Sequence, residues 1–289
     1  HRVDRRQRQM CIRDSSPSFW RDPALPFIEL RSIEDGRQVC YGRHSHAFFS
    51  IGAITSGQST YSNRDVDCQV SLGTVVLMNP GDVHACNPID GEPWSYLMCY
   101  VDPQWLGELQ HAQGFTDAPA FQRFADIASD DAELYQGLLA LRRSLLDPLV
   151  GTADKRAQAE AFFGLTLQRL ALEGERDDSL NPRLELAAEL IQQHCGEPLR
   201  LDTLCEAAQL SPSQLIRGFK QRYGLTPHAY LLNRRIQFAH ARLKSGAALA
   251  EVAQEAGFAD QAHFQRTFKQ LLAATPVSYT HLRAHETRE

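Results

Sequence analysis

The sequence contains no long apolar segment and little cysteine. Across its 289 residues, no hydrophobic run reaches the ~18 residues that a membrane helix needs. The first residues are charged and no apolar stretch follows them, so we expect no signal peptide. The seven cysteines are scattered without a C-x-x-C pair, which is typical of reduced cytosolic thiols. These absences predict a cytoplasmic globular protein.

The common sequence signatures of catalysis are also missing. The chain has no phosphate-binding loop, no H-E-x-x-H pair and no nucleophile with a paired base. We therefore expect neither catalytic residues nor a cofactor.

Charge is divided unevenly along the chain. Residues 16–180 hold 12 Lys and Arg against 23 Asp and Glu, a net charge of −11. Residues 181–277 hold 11 basic and 8 acidic residues, a net charge of +3. Because an acidic surface repels nucleic acid, only the C-terminal segment is a candidate to contact it.

Both ends of the sequence differ in character from the segments beside them. Residues 1–15 and 278–289 show no periodicity and resemble adapter-derived translations, so we exclude them from the fold prediction. The alternative is a disordered basic arm that contacts phosphates.

The remaining pattern predicts a two-domain α+β chain, as its length suggests. Short strands separated by turns over 26–100 predict an antiparallel β-barrel or jelly roll within a first domain, 16–173. A polar linker over 174–182 leads to an all-helical domain over 183–277.

Helical periodicity begins after the last predicted strand. We predict helices over 103–110 and 117–128, followed by a helical hairpin over 131–173. The apolar stripe of this hairpin covers the β-domain core or forms a dimer seam. It includes Leu134, Leu138, Leu141 and Leu145.

One short amphipathic helix occurs twice in the C-terminal domain. SPSQLIRGFKQRYGLTP (211–227) and DQAHFQRTFKQLLAATP (260–276) share Phe-Lys-Gln and Thr-Pro at the same spacing. Each follows a short helix and a turn, the arrangement of a helix-turn-helix unit. Any helical hairpin has a polar outer face, but two copies with basic, amide-bearing faces favour DNA binding in successive major grooves. The predicted DNA contacts are Ser213, Gln214, Arg217, Lys220, Gln261, His263, Gln265, Arg266 and Lys269.

The second unit reads VAQEAGFADQAHFQRTFKQLLAATP (252–276). Together with the first unit it resembles the DNA-binding domain of AraC/XylS-type transcription regulators, over essentially all of 183–276. The resemblance implies that 212–222 and 261–271 are the recognition helices. It also implies double-stranded promoter DNA as a partner, a homodimer, and RNA polymerase as a further candidate partner.

The front half resembles the cupin-like ligand-binding domain of the same family. The resemblance is carried by His44-Ser45-His46, by GTVVLMNPGDVHACNP (73–88) and by EPWSYLMCYVDP (92–103). Residues two apart in a strand share a face, so His44 and His46 should point the same way. In cupin enzymes the matching pattern binds a metal through three histidines and a glutamate. Ser50 and Ile51 stand here where that glutamate is expected.

Three interpretations of His44, His46 and His84 stay open. They form polar walls of an effector pocket, or they are barrel-mouth histidines without a ligand role, or they bind a metal as three imidazoles. We favour the first and predict no metal. Phe48 is expected in the core. The predicted effector-binding residues are Tyr41, Arg43, His44, His46, Asn79, His84, Asn87, Trp94 and Tyr96.

The sequence thus predicts a transcription regulator that binds specific DNA in response to a small-molecule effector. The competing hypothesis is a cupin-type metalloenzyme, a dioxygenase or isomerase, that uses the three histidines. A third is a structural DNA-binding protein without an effector, which the acidic front half disfavours.

Overall fold

The computed structural model describes residues 18–37, 39–174 and 181–277. The two ends excluded from the fold prediction, and most of the predicted linker, lie outside these residues. Within the described residues no helix combines the length and the apolar character needed to cross a membrane.

The N-terminal part is built from two antiparallel sheets, which confirms the predicted fold class with two sheets in place of one closed barrel. One sheet has the strand order β1-β2-β8-β3-β6-β9 and the other β5-β4-β7. The strands are β1 Ser18–Arg21, β2 Ile28–Ile33, β3 Phe49–Ser56, β4 Gln58–Asn63, β5 Val66–Ser71, β6 Val75–Met78, β7 His84–Pro88, β8 Ser95–Val101 and β9 Ala128–Ser129.

The larger sheet is covered on both faces. Side chains alternate along β6, so Val75 and Leu77 face one way while Val76 and Met78 face the other. The first pair packs against the helices α1 Pro103–Ala112, α2 Ala132–Leu146 and α3 Thr152–Arg169. The predicted leucine stripe of α2 is buried in this cluster, so it covers the β-domain core.

The helix predicted over 117–128 is wrong. Up to β9 this segment is irregular, although its Phe121 and Phe124 have helical spacing. The side chain of Gln110 binds the backbone N–H and carbonyl of Gln122, and the side chain of Asn79 does the same for Phe124. Because two amide side chains satisfy the backbone groups of Gln122 and Phe124, these residues do not need helical hydrogen bonds.

The C-terminal part is entirely helical within the described residues. Its helices are α4 Pro182–Gln193, α5 Leu201–Ala208, α6 Pro212–Tyr223, α7 Pro227–Lys244, α8 Leu249–Glu255 and α9 Gln261–Leu272. Side chains of Ser211, Thr226 and Asp260 cap the starts of α6, α7 and α9. Helices α4 to α6 share one apolar cluster and α8 and α9 share another, while α7 contributes to both.

Candidate effector site and nucleic-acid interface

A cavity of ≈ 320 Å³ lies between the two N-terminal sheets and helix α7. It falls at the lower end of the ~300–1,000 Å³ range of small-molecule pockets, and it is about twice the ~150 Å³ cavity that holds benzene. Its wall is mostly apolar and aromatic, with Ile54, Met78, Trp94, Met98 and Leu271 among the residues that line it.

Three histidines form part of the polar wall that the N-terminal domain contributes to the cavity. The Nδ1 atoms of His44, His46 and His84 lie 2.9, 3.0 and 2.9 Å from the backbone carbonyls of Gly42, Phe48 and Asp82. A carbonyl only accepts, so each Nδ1 carries the proton and each Nε2 is an acceptor. The ring of His84 lies 4.5 Å from that of His44 and 4.8 Å from that of His46, measured between centroids.

These histidines are neutral at physiological pH. Burial, reinforced by repulsion from a neighbouring histidine, lowers the pKa of His44, His46 and His84 to about 3 in each case. Burial also lowers the pKa of His240 on α7 to about 4. The cavity therefore presents neutral imidazoles. No group of three or more His, Cys, Asp or Glu in the described chain is arranged to hold a metal ion.

The charged residues of the cavity wall have a positive balance. Arg31 and Lys244 line it together with the acidic Glu29. Burial raises the pKa of Glu29, but its bonds to Arg21 (2.7 Å) and Lys244 (2.6 Å) outweigh burial and lower it. Arg31, Lys244 and Glu29 together carry a charge of +1, although the front half is acidic overall.

Helix α7 closes the cavity with one polar face. Asn233, Gln237, His240 and Lys244 are spaced four, three and four residues apart, so they share a side of the helix. None of these four residues was predicted from the sequence. The available signal was this polar stripe, which has the same pattern as an ordinary solvent-facing helix surface.

Six of the nine predicted effector residues line the cavity: Tyr41, His44, His46, His84, Trp94 and Tyr96. The other three have structural contacts elsewhere. Arg43 donates to the carbonyl of Arg64, Asn79 binds the backbone of Phe124, and Asn87 binds the backbone of Tyr41.

Phe48 lies at the cavity edge, 36% exposed, and not in the core as expected. Its ring is 5.7 Å from the Lys244 ammonium, so a cation–π contact explains this position.

The predicted DNA contacts are presented by α6 and α9. Eight of the nine are exposed: Ser213, Gln214, Arg217, Lys220, Gln261, Gln265, Arg266 and Lys269. His263 is half-buried, because its ring packs edge-on against Phe258. The Gln214 side chain accepts from Ser211 in a capping box, so in this structure it is engaged in capping the helix.

The sequence of the chain matches two family models. Residues 28–173 match the AraC-like ligand binding domain, and residues 204–281 match a helix-turn-helix domain. The chain is 31% identical over 240 residues to the HTH-type transcriptional activator RhaS of Escherichia coli O6:H1, covering 80% of this chain and 84% of the relative. The chain belongs to the AraC-like family of transcription regulators.

A second relative and a solved structure are also similar to the chain. An uncharacterized HTH-type regulator of Bacillus subtilis, YbfI, is 26% identical over 230 residues, which are 77% of this chain and 81% of the relative. The crystal structure of a variant of apo ToxT from Vibrio cholerae shares the fold, with a TM-score of 0.56 at 13% identity, covering 88% of this chain and 96% of that one.

The AraC-like protein is therefore a ligand-responsive, sequence-specific DNA-binding regulator and not an enzyme. Its relatives are transcription regulators, so the competing metalloenzyme hypothesis is not supported.

Proposed function

We propose that the effector of this AraC-like regulator binds in the cavity between the sensor and α7. The observation that carries the proposal is that both parts of the chain build the wall: His44 and His84 on one side, Asn233 and Gln237 on the other. An effector shifts an equilibrium only if it binds two arrangements with different affinity. A ligand held by both walls meets that condition, because separating the walls removes its contacts to one of them.

The cavity favours a small, largely apolar compound with one anionic group. Its wall is mainly aromatic and aliphatic, and Arg31 and Lys244 supply the excess of positive charge. Arginine and lysine bind carboxylates through charge-assisted hydrogen bonds. ToxT structures were solved with an unsaturated fatty acid and with a naphthalenyl butenoic acid, and both of these ligands are apolar acids.

On the DNA side, we propose that α6 and α9 enter successive major grooves. Arg217 and Arg266 are proposed to read base edges, while Lys220 and Lys269 bind phosphates. Their equivalent places in the two copies support this assignment.

The overall organisation is also a proposal. We assign the sensor to 16–173, the linker to 174–182 and the DNA-binding domain to 183–277. A cytoplasmic homodimer is the proposed working form, with RNA polymerase as a further partner at the promoter.

A variant whose cavity entrance is blocked by a larger side chain tests the effector proposal. Ala241 is exposed on α7 and lines the cavity, so Ala241→Trp should block it without disturbing the core. Benzoate, octanoate, their neutral amides and a monosaccharide are screened for a rise in melting temperature. We expect the acids to stabilise the wild-type chain and the control Ala157→Trp, which changes an exposed position of α3. They should not stabilise Ala241→Trp. Equal stabilisation of all three proteins would contradict the proposal.

A further inference from the structure

The second recognition helix ends against the sensor. The last carbonyls of any helix have no donor within the helix. At the end of α9, Gly42 N–H donates to the Gln270 carbonyl at 2.8 Å. Arg31 donates through Nη1 to the Leu272 carbonyl at 2.9 Å and through Nη2 to that of Ala273 at 3.4 Å. The sensor thus supplies three hydrogen bonds to the last turn of α9 and the C-cap residue that follows it.

The first recognition helix ends differently. Gly224 follows α6 with φ 67°, and its own N–H donates to the Lys220 carbonyl. Glycine adopts this left-handed conformation easily. The sequence repeat places Ala273 where Gly224 stands, and Ala273 has φ 47°. The methyl group of alanine disfavours that conformation, so the end of α9 depends more on outside contacts than the end of α6.

Arg31 also belongs to the cavity wall. Its side chain lines the cavity while the residue is only 2% exposed, and its guanidinium lies 5.4 Å from the centroid of the Phe19 ring and 5.7 Å from that of Tyr41. A positive charge at a helix C-terminus is favourable, because the helix dipole is negative there. One side chain therefore touches both the cavity and the end of a recognition helix.

We propose that Arg31 is an interdomain C-cap that couples the cavity to the second recognition helix. The coupling rests on the proposed effector site. An anionic occupant that draws N–H donors from Arg31 leaves the Leu272 and Ala273 carbonyls to water and loosens the last turn of α9. Helix α6, which is closed by Gly224, keeps its conformation. The effector then changes the conformation of only one of the two recognition helices, α9.

Hydrogen exchange on the full chain tests the cap without an effector. In Arg31→Met, amides in the last turn of α9 should exchange at least about tenfold faster, the change expected for one hydrogen bond to a charged group. The last turn of α6 should be unchanged. Adding Ala273→Gly should restore part of the protection, because glycine tolerates the left-handed conformation. Arg31→Lys, which keeps the charge but not the paired donors, should fall between wild type and Arg31→Met.

Equal amide exchange rates in the last turn of α9 in wild type and Arg31→Met would overturn the assignment of Arg31 as a C-cap. If Arg31→Met does not fold, the same comparison is made with Arg31→Lys, and unchanged exchange there has the same meaning. A failed ligand screen would remove the effector site but would leave this result standing.

DNA binding tests the coupling. Scrambling the half-site that α9 contacts should weaken wild-type binding more than Arg31→Met binding, while scrambling the α6 half-site should affect both proteins equally. Equal losses of DNA affinity in both proteins, when the α9 half-site is scrambled, would show that the cap does not affect DNA recognition.

Discussion

Asn233 and Ser45 bind each other through two hydrogen bonds across the boundary between α7 and the sensor. Asn233 Oδ1 accepts from the Ser45 backbone N–H at 3.2 Å, and Asn233 Nδ2 donates to Ser45 Oγ at 3.0 Å. Gln237 Nε2 donates to the Ser45 carbonyl at 2.6 Å. Ser45 lies between His44 and His46, so this contact fixes α7 against the polar wall of the cavity.

Replacing Asn233 by alanine should destabilise the folded chain by about 1–3 kcal/mol, because it leaves buried polar groups of Ser45 without their partners. Urea unfolding of the full chain measures the loss as a lower midpoint. The control is His228→Ala on the same helix, at an exposed position, which should stay within about 0.5 kcal/mol of wild type. Equal urea midpoints for Asn233→Ala and the control would show that the contact does not stabilise the folded chain.

Acid should destabilise the folded chain through its buried histidines. His44 and His84 have a pKa of about 3 when folded and 6.5 as the reference value, so the unfolded chain takes up protons first as the pH falls. Their effect on stability is therefore absent above pH 6.5, and stability is lost progressively from there towards pH 3. At pH 5 the loss is about 2 kcal/mol for each histidine.

Urea unfolding at pH 8 and pH 5 measures this difference. His84→Asn keeps a donor for the Asp82 carbonyl but cannot take up a proton, so it should reduce the difference by about 2 kcal/mol. His228→Asn, at the exposed position, should behave as wild type. A His84→Asn chain with the full wild-type pH dependence would contradict the assignment.

Lys220 and Lys269 should contribute affinity without sequence preference. Replacing either by alanine should weaken binding to all duplexes alike and reduce the salt slope of log K by about 1, because one phosphate contact is lost. The two losses should be similar, since the residues are equivalent in the repeat. Arg143→Ala, an exposed charge on the sensor helix α2, is the matched control. Unaltered slopes in both lysine variants would place these side chains away from the backbone of DNA.

The two helices that carry the predicted DNA contacts could be predicted almost to the residue. The expected ranges 212–222 and 261–271 end one residue short of α6 and α9. Caps, periodicity and turns are local features, and they determine where these helices begin and end.

The cavity could be predicted only in part. Its sensor wall follows from the histidine motif. However, α7 and Arg31 line the cavity only because distant segments pack together, and local sequence patterns carry no information about that packing. The helix predicted over 117–128 was wrong for the same reason, since the conformation of this segment depends on the side chains of Gln110 and Asn79.

The most direct test of the account is a competition for DNA. The full chain is titrated onto a duplex from upstream of its own gene, with unrelated DNA as competitor and across a salt series. We predict selective binding by the wild type and a steep salt slope, with selectivity lost in the Arg217→Ala/Arg266→Ala double variant. Selectivity that survives in the double variant, or that is missing from the wild type, would contradict DNA recognition by α6 and α9.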